Sequence, residues 1–212
     1  MDVIDQIKRH TQHPLTHQLL MSFLGDYSQP NIKISALVKK GILMPVKKGL
    51  YLVGPMVSGQ TPEPFLLANH ILGPSYVSLE SALSFHGLIP EQVFEVTSVT
   101  TKASRKFKTR LGIFSYTRLP LPYYSFGLQQ IKLGEEQYAL VASPEKAVCD
   151  KIVTTRGIVL RSKKDTFNFL IENMRMDEEN LKKLNIQEIS SWLPETPKYG
   201  SISMLIRTIQ GL

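Results

Sequence analysis

The chain has 212 residues, of which 42% are hydrophobic, with a single cysteine and a formal net charge of +7. That apolar content excludes a globally disordered chain, and one thiol excludes an internal disulfide or a cysteine-built metal cluster. No apolar run reaches the roughly 20 residues a membrane helix needs. Asp2 and Asp5 interrupt the apolar residues at the start, so no signal-peptide core is present and the expectation is a cytoplasmic protein without a membrane partner. The basic balance points to a polyanion such as nucleic acid.

In chain order, the first elements expected are three helices and a hairpin. Asp2 caps a short helix whose Val3, Ile4 and Ile7 share a face. Pro14 suits the first turn of a second helix carrying Leu15, Leu19, Leu20, Phe23 and Leu24, with Gly25 as its stop. A third helix is expected from about Asn31 to Lys40, with Ile34, Leu37 and Val38 inward and Gly41 ending it. Two short strands, at residues 42–46 and 50–53, flank the turn Lys47-Lys48-Gly49. Two glycines and three prolines between Val53 and Pro64 interrupt regular structure and suit an interdomain connection.

Beyond it, helices are expected from Glu63 to about Ile71 and from Ser78 to about His86, with Ser78 as cap. Strands are expected at 91–101, 112–119, 128–133 and 137–142. Ser143-Pro144-Glu145 is a strong helix start: a cap, a first-turn proline and an acid at the positive end of the dipole. Helices follow to Leu212. Strands followed by helices give an α+β reading: an N-terminal winged helix-turn-helix domain over 1–56, then a mixed α+β domain over 62–212 that is helical from about 143.

The order helix, helix, turn, helix, basic hairpin is that of a winged helix-turn-helix. A helix fits the DNA major groove and offers its outer face to base edges, while a hairpin beside it meets backbone. With Ile34, Leu37 and Val38 inward, Asn31, Lys33, Ser35, Ala36, Lys39 and Lys40 lie outward or at the margins. Asn31 and Ser35, near the helix start, are candidates for base contacts. Lys33, Lys39 and Lys40, with Lys47 and Lys48 at the wing tip, are candidates for phosphates. No arginine sits in this helix, so bidentate guanine reading is absent from it, which points to dimers or to repeated sites.

Four segments in this order resemble AbiEi-family antitoxins of type IV toxin–antitoxin systems, also known from abortive phage infection. Lys-Ile-Ser-Ala-Leu-Val-Lys-Lys-Gly-Ile-Leu-Met-Pro-Val-Lys-Lys-Gly-Leu-Tyr-Leu-Val (residues 33–53) is similar to the family's winged-helix segment. Gly-Pro-Ser-Tyr-Val-Ser-Leu-Glu-Ser-Ala-Leu-Ser-Phe-His-Gly-Leu-Ile-Pro-Glu (73–91), the strand at 95–102 and Ser-Pro-Glu-Lys-Ala-Val-Cys-Asp (143–150) extend the likeness. The resemblance implies an autorepressor that binds duplex DNA at its own promoter. It also implies an antitoxin that counteracts a nucleotidyltransferase-like toxin without a stable complex. Met44-Pro45 departs from the polar or basic residues usual there, and the missing donor of Pro45 implies a short wing.

A second basic surface is expected at Lys102, Arg105, Lys106, Lys108 and Arg110, either as a polyanion surface with Phe107 for stacking or as an exposed hairpin with one core Phe. Cys149, between apolar neighbours, is expected to be a buried small hydrophobe. His10, His13 and His17 lack the carboxylate or cysteine that would complete a metal site, so neither metal nor other cofactor is expected. Glu80, Glu95, Glu145, Lys146 and Asp150 are the residues an enzyme would draw on. No phosphate-binding glycine loop, nucleophile elbow or zinc motif accompanies them, and Lys146 is placed to pair with Asp150 at i, i+4, so no catalytic residue is assigned. The alternatives are a metal-dependent nucleic-acid-processing enzyme with a DNA-binding module, and a protein-interaction adaptor using the acidic helices after Asp165.

Overall fold

The computed structural model describes residues 2–212. Its first unit starts with α1 (Val3–Lys8), where the Asp2 carboxylate accepts from the Ile4 amide and Val3 and Ile7 are buried. A two-residue strand, β1 (Leu15–Thr16), precedes α2 (His17–Phe23). This corrects the expected role of Pro14. It lies buried ahead of β1, and Thr16 is the cap, its hydroxyl accepting from the Leu19 amide at 3.1 Å. Then come α3 (Pro30–Lys39), β2 (Leu43–Lys47) and β3 (Leu50–Val53). The three strands form one antiparallel sheet in the order β1-β3-β2. Gly41, at φ +70°, ends α3 in a conformation other residues adopt at a cost.

The second unit is a six-stranded mixed sheet with helices against it. Its strands are β4 (Ser75–Val77), β5 (Glu95–Thr100), β6 (Arg105–Thr109), β7 (Gly112–Arg118), β8 (Leu128–Lys132) and β9 (Tyr138–Ala142), in the order β6-β7-β5-β4-β9-β8. The β5/β7 and β4/β9 pairs are parallel and the rest antiparallel. The helices are α4 (Pro64–Ile71), α5 (Leu79–Phe85), α6 (Pro144–Thr154), α7 (Lys163–Phe167), α8 (Glu178–Lys182), α9 (Ile186–Trp192) and α10 (Tyr199–Ile209). The molecule is thus α+β with two sheets, and among the described residues no helix is long and apolar enough to cross a membrane.

Cross-strand partners share a face, which fixes how the larger sheet is covered. Tyr116 of β7 faces α4, its hydroxyl donating to the Ala68 carbonyl at 2.6 Å. On the other face Thr97 of β5 meets α5 through the Ser78 carbonyl and the Ser81 amide. Tyr76 of β4 reaches Asp150 of α6. The β7 and β6 end of that second face carries Ser115, Thr117, Lys106 and Lys108, none of them buried.

Two apolar clusters meet at the small sheet. Ile7, Leu15, Leu20, Ile34, Leu37, Leu43 and Val53 form the first. In β3, Tyr51 and Val53 point into it, while Leu50 and Leu52 point into the larger core with Tyr76, Val99 and Val141. Residues 54–63 carry no helix or strand, as their Gly and Pro content predicts. A side-chain bond also crosses at this seam, from the His13 ring to the Glu136 carbonyl at 3.1 Å, and the Glu63 amide, at the end of the connection, donates to the Gln137 side chain at 2.7 Å.

Candidate nucleic-acid interface

Helix α3 presents two faces. Ile34 and Leu37 are 4% and 2% exposed and seat it on the first cluster. At 100° per residue the opposite stripe is Ile32, Ser35, Ala36 and Lys39, flanked by Asn31, Lys40 and Lys33. Asn31, Ser35, Lys39 and Lys40 are exposed and Ala36 is half-buried. Ile32, 64% exposed, stands in the middle of the stripe. The sequence reading passed over it, although its spacing from Ser35 and Lys39 carries the signal. Lys33 is half-buried, its ammonium 4.9 Å from the centre of the Tyr27 ring, and so is less free than Lys39 and Lys40.

The hairpin turn is fastened to the start of α3 through one histidine. The His17 amide donates to the Gly49 carbonyl at 2.9 Å, and the His17 ring nitrogen lies 2.9 Å from the Asn31 amide oxygen. Lys47, half-buried, and Lys48, exposed, therefore project beside the helix N-terminus. Lys39 and Lys40 stand at the other end, a separation of about 15 Å along ten residues of helix. Among the described residues the Asn31 side-chain N–H groups meet no acceptor, whereas Ser35 donates to the Asn31 carbonyl at 3.0 Å. The three histidines turn to separate partners: His10 stacks on Phe23, His13 crosses to Glu136 and His17 braces Asn31.

The second basic run is an edge strand. Lys102, Arg105, Lys106, Lys108 and Arg110 are all exposed along β6 and its flanks. Lys102 donates to the Gly73 carbonyl, and Lys106 pairs with Glu95 at 2.6 Å. Phe107 is not free to stack on a ligand. It packs edge-on against Tyr116 at 5.7 Å, under the Arg105 guanidinium.

The residues weighed for catalysis divide. Asp150 and Lys146 are sealed in the core, 3.0 Å apart, as i, i+4 partners. Tyr76 and Ser78 donate to the other Asp150 oxygen at 2.9 and 2.8 Å, and Lys146 donates to the Tyr123 carbonyl at 2.8 Å. Ser78 thus spends its hydroxyl on Asp150 and does not cap α5, which corrects the expectation. Burial lowers the Lys146 pKa, and the Asp150 carboxylate works against that shift. Burial, then Asp150, pushes the Tyr76 phenol far up. Cys149 is buried, and burial pushes its thiol up and away from the reactive thiolate. Glu145 accepts from the Asn185 amide, joining α6 to α9. Only Glu80, paired with Lys151, and Glu95 reach a groove.

No family model matches the chain, and no curated protein is similar to it. Among solved structures it is similar to the RV2827C protein from Mycobacterium tuberculosis, with 14% identity and a TM-score of 0.60, over 98% of this chain and 75% of that one. At that identity the likeness is one of fold.

Proposed function

We propose that the N-terminal unit is a winged helix that binds duplex DNA, and that the protein is the autorepressor and antitoxin of an AbiE-like operon. One observation carries the DNA-binding reading: the exposed stripe of α3 and the Lys47-Lys48 turn are held side by side by the His17 bonds to Gly49 and Asn31. In this reading α3 enters the major groove. Asn31 and Ser35 meet base edges, Ile32 meets a thymine methyl, and Lys39, Lys40 and Lys48 meet phosphates. The wing is short, since Pro45 lies in β2 and the register shifts between Pro45 and Lys47. The antitoxin role rests on the sequence likeness at 33–53, 73–91, 95–102 and 143–150.

The test is a gel shift on the protein's own promoter across a salt series. Changing Lys39, Lys40 and Lys48 together to Ala is expected to weaken binding and to reduce the slope of log K against log salt by about 2–3. Unchanged affinity and slope would remove α3 and the hairpin turn from the interface.

A further inference from the structure

Because β5 and β7 run parallel, their N-terminal ends lie together, and the β6–β7 turn returns to the same end of the sheet. Phe94, just ahead of β5, is 87% exposed there. It lines a groove of about 310 Å³ with Phe65, Phe85, Val93, Leu111 and Ile113. Val93 also lines an adjoining groove of about 520 Å³, whose floor is Thr97, Ser115 and Thr117 beside Lys151. An aromatic slot thus runs into a hydroxyl-lined trough.

The charge at this end is positive. Lys106 and Lys108 are the cross-strand partners of Ser115 and Ile113, so they rise from the same face, and Arg110 directly precedes Leu111. The two carboxylates of the trough are occupied, Glu95 by Lys106 and Glu80 by Lys151. Among the described residues, Lys108 and Arg110 meet no carboxylate within ion-pair distance.

We propose that this end of the sheet binds single-stranded nucleic acid. An unpaired base stacks on Phe94 and lies over the groove walled by Phe65 and Phe85, which pack edge-on against each other at 5.7 Å. The phosphates on either side lie against Lys108 and Arg110, and the next sugar lies over the hydroxyls of Ser115 and Thr117. A ring offered to solvent beside free cations suits a splayed base, whose π face is available. A duplex hides that face within its stack. A peptide would use the slot but leave Lys108 and Arg110 without phosphates, unless it carried acids at matching spacing.

The experiment uses the full chain and labelled twelve-residue oligomers of deoxyuridylate and uridylate, which differ only in the sugar, read by fluorescence anisotropy. Salt-sensitive binding is expected, with the two arms showing whether the sugar matters. Phe94→Ala is expected to weaken it roughly ten-fold or more, and Phe94→Trp to retain it. Changing Lys108 and Arg110 together to Glu is expected to abolish it, whereas the Lys39, Lys40 and Lys48 alanine variant is expected to bind single strands as the parent does. Duplex promoter binding is the control that separates this site from α3, and Phe94→Ala is expected to leave it intact. Single-strand affinity unchanged by Phe94→Ala, or lost with the α3 variant alone, would overturn the proposal. So would capture of an acidic aromatic peptide with no binding of either oligomer.

Discussion

Gly54 illustrates how much a single atom decides. A Cβ there would stand 2.0 Å from the Gly41 carbonyl oxygen, where the turn ending α3 crosses the strand leaving the small sheet. Backbone must move to admit it, so Gly54→Ala is expected to cost at least about 2 kcal/mol, measurable by chemical denaturation. The buried Lys146–Asp150 pair is the second such point. Removing one partner leaves a charge without its counterpart in a dry site, and Lys146→Met is expected to destabilise by about 3–5 kcal/mol. That pairing was legible from the i, i+4 spacing. What Ser78 does was not. A serine ahead of an apolar run reads as a cap, and only the return of α6 against β4 reveals the carboxylate that claims its hydroxyl. Nor did Leu79 announce its left-handed backbone, at φ +56°, since no local residue preference asks for it.

At the level of elements, periodicity found α3 and its inward face, because Ile34 and Leu37 repeat at helical spacing in a run bounded by proline and glycine. It missed β1, whose two residues are a strand only because Leu15 and Thr16 lie opposite Tyr51 and Leu50. It also left the run that forms β6 open between a polyanion surface with Phe107 for stacking and an exposed hairpin with one core Phe, since only the tertiary fold packs that ring against Tyr116. Strand β3 makes the strongest demand of any element here. Its two sides feed different cores, and Leu52 is 1% exposed. Leu52→Ala is expected to cost about 2–5 kcal/mol by the cavity it leaves. On α3 the contrast is a residue whose loss leaves the fold alone. Ile32→Ala is expected to hold the melting temperature within a degree or two and to lower promoter affinity several-fold, separating a contact with DNA from one with the core.

For the whole molecule the seam between the units sets the response to acid. Desolvation, with His13 as second cause, holds His10 and His70 below the ordinary histidine pKa. The unfolded chain therefore takes up protons first as pH falls. Stability is at its full value above the ordinary histidine pKa of about 6.5 and declines as pH drops from there toward the lowered folded values. Urea midpoints across pH 5–8 are expected to show that decline, and replacing both rings, in a His10→Gln and His70→Gln variant, is expected to reduce it. The shared strand has a mechanical consequence as well. With Leu50 and Leu52 anchored in one half and Val53 in the other, a swing of either half about β3 would have to pull these side chains from their cores. Torque applied to the large sheet by anything that grips it must turn α3 as well, or drag leucines out into water. A grip on one half is thereby felt by the other, as by the far arm of a lever.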